Sequence, residues 1–320
     1  MPHDDATGAG AQDALAPVLH EMTIDDALAG HRLDYAISRE LGISRAYAQK
    51  LIRGGNVEPD APKRIKPSLK TERGERYAIA VPPPEKLDLE PEDVPFGVAY
   101  ADEDVVVVDK PPGLVVHPAP GHWRGTLVHG LLHRFPEMGG LNGVARPGIV
   151  HRLDATTSGL MVVARNGLAQ ERLFQDFKAR RVDKIYLALC RGTPTKAAAR
   201  IEMPVGRDPV HRQRMTVTDA GRDATTDYRV LWSRNGCSLV VCTLHTGRTH
   251  QIRVHMRAIG CPLVGDTLYR PSEASPFPGP RVFLHAWRLA FRHPRDGRVM
   301  AFRSPLPEDL LDALGNIRRT

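Results

Sequence analysis

Short apolar runs bounded by Gly, Pro and small polar residues recur along most of this 320-residue chain. Runs of that kind read as buried strands, and they predict strands at Val105 to Val108, Leu160 to Ala164, Val182 to Leu189, Ala224 to Trp232, Leu239 to Leu244, Val282 to Phe291 and Val299 to Phe302. Two neighbouring pairs, 224–232 with 239–244 and 282–291 with 299–302, are close enough for hairpins. From Leu168 to Arg181 the period becomes that of a helix, with Leu173, Phe174 and Phe177 inward. Lys110-Pro111-Pro112-Gly113 ends the first run in a turn that neither sheet nor helix can continue. Residues 96–320 therefore read as an α+β domain on a long mixed, largely antiparallel sheet.

The pattern changes toward the amino terminus. Residues 1–20 hold no Lys, Arg or sustained apolar stretch, and read as a disordered tail rather than a signal peptide. Residues 21–81 read as a small separate α/β module. There Ser44 caps a helix through Arg53, with Tyr47, Ala48, Leu51 and Ile52 on one face and Arg45, Gln49, Lys50 and Arg53 on the other. Gly54 and Gly55 stop this helix, and strands follow around Val57 and at Tyr77 to Val81. Residues 82–95 carry five prolines and five acids against one lysine, so they read as an extended acidic linker poorly suited to a core.

Charge narrows the class of partner. The net charge is +7, and between His31 and Arg76 eleven Lys or Arg stand against six Asp or Glu. Attraction to a polyanion is the simplest use of that balance, with a merely solvated basic face as the plain alternative. The four cysteines, Cys190, Cys237, Cys242 and Cys261, lack CxxC spacing and fall within or beside apolar segments, so free thiols in a reducing cytoplasm are expected. The 14 histidines are scattered without a ligand-like spacing, and no metal is expected. No stretch approaches the ~18 apolar residues of a membrane span. A soluble monomer in the cytoplasm is the expectation.

Candidate chemistry is densest in Gly148 to Arg165, GIVHRLDATTSGLMVVAR. Asp154 lies on the loop entering a core strand, where a rigid scaffold can aim it; taken alone, such an Asp caps a turn and pairs with Arg152. In Thr246 to Met256, TGRTHQIRVHM, Thr249 is placed to cap a short helix carrying His250, Arg253, His255 and Arg257, a cationic surface that in isolation reads as solvated. In Lys184 to Ala188, Tyr186 alternates with apolar neighbours as a half-buried strand tyrosine.

HRLDATTSGL resembles the HRLDxxTSGL signature of the RluA-type family of RNA pseudouridine synthases at eight of ten positions, and Ala155 and Thr156 occupy the two variable ones. TGRTHQIRVH, GCPLVGDTLY at Gly260 to Tyr269 and KIYLA are similar to the family's TGRxHQxRxH, GxPxxGDxxY and KxYxA segments. Arg32 to Val57 resembles the S4 RNA-binding module. Leu114 to Val128 and His211 to Arg222 resemble the branch containing ribosomal large-subunit pseudouridine synthase D; the synthase C branch also has an S4 module, which leaves the target uridines open.

The resemblance implies the pseudouridine synthase catalytic fold and conversion of uridine to pseudouridine in RNA, with large-subunit ribosomal RNA as partner and no cofactor. It implies that Asp154 is the essential carboxylate, that Arg253 pairs with it and that Tyr186 packs against the base. Arg152 matches the arginine proposed to fill the gap left by a flipped nucleotide. His151, Thr157, Ser158, Leu263 and Val264 are the expected pocket residues, and Arg45, Gln49, Lys50, Arg53, Arg248 and His250 the expected RNA contacts.

Whether Asp154 attacks the sugar, attacks the base or abstracts a sugar proton is open at this level. Two other classes stand beside the isomerase. A noncatalytic RNA-binding or ribosome-assembly factor would tolerate loss of Asp154, Tyr186 or Arg253. A nucleoside or glycoside hydrolase would need a second carboxylate flanking the bond, for which Asp266 is the candidate.

Overall fold

In a computed structural model the described residues are 17–43, 45–82, 89–140, 147–270, 275–277 and 279–319. The chain divides into two units, Met1–Glu85 and Lys86–Thr320. The first contains β1 (Val18–Thr23), α1 (Leu33–Glu40), α2 (Arg45–Arg53), β2 (Val57–Pro59) and β3 (Arg76–Val81), with the strands antiparallel in the order β1-β3-β2. Met22, Tyr77 and Ile79 from the sheet meet Leu33 and Ile37 of α1 and Ala48 and Leu51 of α2 in its core. The apolar face of α2 is thus as the periodicity predicts; Ser44, its expected cap, lies outside the described residues.

One expectation for this unit is corrected. Val18 to His20, assigned to the tail by composition, belong to β1, because that strand pairs with β3 along its whole length. The rest of that tail up to residue 16 lies outside the described residues. Gln49 and Arg45, the expected RNA contacts, also hold the fully buried carboxylate of Asp34, at 2.7 and 3.0 Å, while the Arg45 side chain stays 52% exposed. Arg32 completes this cage, and its guanidinium is the main reason the Asp34 carboxyl sits well below the usual carboxylate range. These bonds tie α2 to α1, while Lys50 and Arg53 stay exposed.

The second unit runs β4 (Gly97–Ala101), β5 (Val105–Lys110), α3 (Leu127–Arg134), β6 (Ser158–Ala164), α4 (Gly167–Lys178), β7 (Asp183–Arg191), β8 (Ala198–Glu202), β9 (Val205–Arg207), β10 (Met215–Val217), β11 (Thr225–Arg234), β12 (Cys237–Leu244), α5 (Gln251–Ala258), β13 (Leu284–Arg292), β14 (Val299–Arg303) and α6 (Glu308–Arg319). Nine strands form one sheet in the order β4-β5-β6-β13-β7-β12-β11-β8, with β14 on β13; β9 and β10 form a separate hairpin. Within the large sheet β6 and β13 pair in parallel and the other pairs are antiparallel, which is the mixed, largely antiparallel layout expected.

Alternation along β5 sends Val106 and Val108 to the cluster with α3 and α5, and Val105 and Val107 to the cluster with α4. Burial on both faces is why this strand reads as an unbroken apolar run. On α4 the inward stripe is Ala169, Leu173 and Phe177, at four-residue spacing. Phe174 falls off that stripe and is 54% exposed, against the expectation that it points inward.

The linker also needs correction. Residues 83–88 lie outside the described set, but Leu89, Val94 and Phe96 pack on the main core, and Glu92 N–H donates to the carbonyl of His129 at the α3 helix. Glu90 accepts from Arg124, and the Glu92 carboxylate from the Gly125 N–H. The carboxyl-terminal half of the acidic stretch is therefore part of the second unit, because its apolar residues cover α3.

Candidate active site

The loop carrying Asp154 is held at three successive carbonyls. Asp154 accepts from Thr157 N–H at 3.1 Å, Ala155 from Gly113 N–H at 2.8 Å and from Lys110 Nζ at 3.1 Å, and Thr156 from Arg281 Nη1 at 3.1 Å. Lys110 and Arg281 are themselves buried. Lys110 spends its other donors on the carbonyls of Pro111 and Leu114, so the Lys-Pro-Pro-Gly turn is a clamp on the Asp154 loop as well as a strand end. Beyond the loop the chain enters β6 through Gly159 at φ 108°, where a Cβ would lie 2.4 Å from the carbonyl oxygen of Ala286; glycine is required for the parallel junction with β13.

Asp154 faces the guanidinium of Arg253, Nη1 to Oδ2 at 3.4 Å. The tighter partner of Arg253 is Asp266, bonded to Nε at 2.8 Å and to Nη2 at 2.7 Å. This fork is buried, and the ring of Tyr269 lies 5.1 Å from the guanidinium carbon. Despite the cost of burial, its two carboxylates raise the pKa of Arg253, so it stays charged. Gly265 makes the turn that presents Asp266: it has φ 77°, and a Cβ there would meet the Arg281 carbonyl oxygen at 2.5 Å.

His250 is the second cation-forming group beside Asp154, with Nε2 3.9 Å from Oδ2. The Met215 N–H donates to Tyr269 Oη at 2.8 Å, and the phenol stands 2.9 Å from His250 Nδ1. When the phenol donates to Nδ1, the imidazole hydrogen sits on Nε2, the nitrogen 3.9 Å from the Asp154 carboxylate. Burial pushes the imidazole pKa down and favours this neutral form.

The helix bearing these groups differs from expectation at its start and on its surface. Thr249 does not cap it; His250 occupies the N-cap position in the left-handed region, at φ 57°. Gln251 organises the preceding loop instead, accepting from Thr246 Oγ1 and Arg248 N–H and donating to Thr225 and Thr226. Nor is α5 a solvated cationic face. Arg253 and His255 are buried, and the imidazole of His255 is bonded to Thr226 Oγ1 and the Met203 carbonyl.

Asp154 opens onto a cavity of about 560 Å³, within the usual range for small-ligand sites. Arg152, His151, Thr157, Tyr186, Arg248 and His250 all line it, as expected from sequence. Leu153, Leu244, Ile252, Leu284, Phe174 and Phe177 give it apolar walls. Tyr186 is 6% exposed, and burial raises its hydroxyl pKa, so the phenol is neutral. His151 stacks on Phe177 at 4.5 Å and accepts the Val162 N–H through Nε2, which makes it a wall braced against β6.

Three expected pocket residues lie elsewhere. Ser158 is buried between His285 and Arg281, each 2.9 Å from its hydroxyl, because strand alternation turns it away from Thr157. Leu263 and Val264 are 1% exposed in two different core clusters, beside β7 rather than in the cavity.

Residues 104–258 match the family model described as RNA pseudouridylate synthase. The chain is 42% identical over 300 residues to an uncharacterized RNA pseudouridine synthase of Bacillus subtilis (strain 168), a match covering 93% of this chain and 98% of that one. This chain belongs to the RNA pseudouridylate synthase family. As an RNA pseudouridine synthase it is an isomerase, joining uracil to the ribose through carbon in place of nitrogen. The synthase is also 39% identical over 322 residues to ribosomal large subunit pseudouridine synthase D of Nitrosomonas europaea, covering 98% of this chain and 92% of the relative. Its fold is shared with human RNA pseudouridylate synthase domain containing 1, at TM-score 0.53 and 29% identity over 72% of this chain and 97% of that one. Human RNA pseudouridylate synthase domain containing 4 gives TM-score 0.56 at 25% identity, over 69% and 93%.

Several residues that shape the synthase's cavity escape sequence reasoning. Tyr269 and Asp266 sit together in GDTLY, and the i, i+3 spacing there is the one signal that both serve Arg253. Lys110 and Arg281 carry no such signal, since their role is to hold carbonyls distant in sequence. Lys178, Arg180, Lys184 and Arg222 line the cavity from segments that read as ordinary surface or strand.

Proposed function

We propose that this synthase isomerises uridines of large-subunit ribosomal RNA, acting from Asp154 on a nucleotide turned out of its stack. The observation that carries the site assignment is the Asp154–Arg253–Asp266 arrangement at the wall of a nucleotide-sized cavity. Support for the RNA comes from relatives named for large-subunit modification, at 39% identity in Nitrosomonas europaea and 41% in Neisseria meningitidis. In this reading Arg152, exposed at the cavity, fills the gap in the stack. Tyr186 supports the uracil while its glycosidic bond is broken and remade, within the apolar wall of Leu153, Ile252 and Leu284. Arg253 holds Asp154 in place. The hydrolase reading loses its second carboxylate, since both oxygens of Asp266 are committed to Arg253.

The amino-terminal unit serves in this proposal as an S4-type anchor whose Lys50 and Arg53 meet RNA phosphates. In this proposal the protein acts as a monomer. Four buried free cysteines fit a reducing cytoplasm. Mapping pseudouridine in large-subunit ribosomal RNA from cells with and without the protein tests the assignment. Specific sites should revert to uridine on its loss; an unchanged large-subunit map would redirect the search to other RNAs.

A further inference from the structure

Arg180, Arg222 and Arg248 all line the cavity that holds Asp154. Arg180 and Arg222 are exposed, and among the described residues no ion pair involves either one. Other guanidiniums of this unit are committed to carboxylates, Arg165 to Glu137, Arg200 to Asp227, Arg281 to Asp309 and Arg295 to Asp104. Arg248 is anchored through Nε to the Asp223 carbonyl at 2.9 Å. Its pKa is lowered by burial and then by the neighbouring Arg222 and Arg180, with Asp223 offsetting them in part. Arg248 thus lies within electrostatic reach of both other cations on the same cavity wall.

Backbone geometry adds an independent observation. Arg180 ends α4 in the left-handed region at φ 60°, with its N–H on the Phe177 carbonyl at 3.2 Å and the Arg181 N–H on Asp176 at 2.9 Å. Glycine fills such a position without strain, and a long cationic side chain does not. Of the three non-glycine residues with positive φ among the described ones, Asn235 sits in an Asn-Gly hairpin turn, where that conformation is routine. The other two, Arg180 and His250, line the cavity. Strain retained at a cavity marks use.

We propose that Arg180, Arg222 and Arg248 form a phosphate cradle at the cavity, taking a phosphodiester of the RNA strand next to the nucleotide on which Asp154 acts. The apolar walls and the Asp154 carboxylate exclude a phosphate from the interior, whereas guanidinium forks match phosphate oxygens in shape and charge. The inference rests on reading the Asp154 cavity as the uridine site and is independent of which RNA carries the uridine.

The test uses the full-length protein and a uridine-containing stem-loop of large-subunit ribosomal RNA. Arg180→Gly should weaken binding roughly tenfold, the loss of one charge-assisted contact. It should make the slope of log affinity against log salt shallower by about one. Its Tm should be unchanged or raised, because glycine relieves the backbone. Placing an uncharged methylphosphonate beside the target uridine should weaken wild-type binding to a similar extent and add little to the Arg180→Gly loss. Wild-type affinity and salt slope in both Arg180→Gly and Arg222→Gln, or fully additive losses with the methylphosphonate, overturn the cradle. Failure of the wild-type protein to isomerise the uridine would count against the site reading, while the binding comparison still decides the cradle.

Discussion

Arg253 reaches Asp154 from a position fixed by Asp266. Two of its nitrogens are spent on Asp266, at 2.8 and 2.7 Å, and a third meets Asp154 at 3.4 Å across 99 residues of sequence. A planar fork bound at two points has one orientation, so the third contact is set in advance rather than found on substrate binding. The Asp154 loop is pinned from its other side by Lys110 and Arg281.

Asp266→Asn is therefore predicted to slow the chemical step about 100-fold, the scale of a roughly 1 Å misplacement, with little change in RNA affinity. Breaking a buried pair should also lower stability by roughly 3–5 kcal/mol. Single-turnover rates, RNA titration and urea unfolding measure the three effects. Weaker RNA binding with a normal single-turnover rate would mean that Arg253 and Asp266 serve affinity instead.

A pair of truncations tests the domain boundary. Removing residues 1–85 should leave a cooperatively folding catalytic unit, whereas removing 1–95 also strips Leu89 and Val94 from the core, worth roughly 1–3 kcal/mol each. Thermal melts should show a lower Tm for the shorter protein. Equal Tm values would return residues 89–95 to the role of a passive linker.

The same 1–85 deletion should lower RNA affinity and flatten its salt dependence as phosphate contacts are lost. Replacing Lys50 and Arg53 should reproduce part of this. Asp34→Ala should cost more, since it leaves Arg32 and Arg45 around an emptied site and loosens α2 from α1. Filter binding across a salt series is the measurement, and an unchanged slope in the truncation would remove the anchoring role.

The strands of the catalytic unit were legible because both faces of β5 and β6 are buried, which leaves no polar residue to blur the runs. Asp154, Arg253 and Tyr186 were legible because each stands in a dense local string. Less was visible where long-range contact decides. β1 takes its place by pairing with β3, α3 and α6 bury faces that the strand pattern does not announce, and Gln49 is claimed by Asp34 from a neighbouring helix. Leu263 and Val264 were misplaced because an apolar pair is equally at home in a core and in a pocket wall. Local sequence carries no term that separates the two.

Acid stability should depend on His151. Burial pushes its imidazole down to about 3, against ~6.5 in an unfolded chain. Between those values the unfolded state binds more protons, so the stability present above pH ~6.5 is lost as pH falls toward 3. His151→Gln keeps an acceptor for the Val162 N–H but cannot titrate. Urea midpoints at several pH values should therefore fall less steeply for the variant than for the wild type, and parallel curves would contradict the assignment.

The central claim is that the Asp154 side chain performs the isomerisation, and Asp154→Asn tests it with the side chain's shape retained. Tritium release from 5-tritiated uridine in a large-subunit RNA fragment, followed alongside RNA affinity, is the measurement. Loss of release with affinity near that of the wild type is the predicted result. Substantial release by the variant would contradict the account.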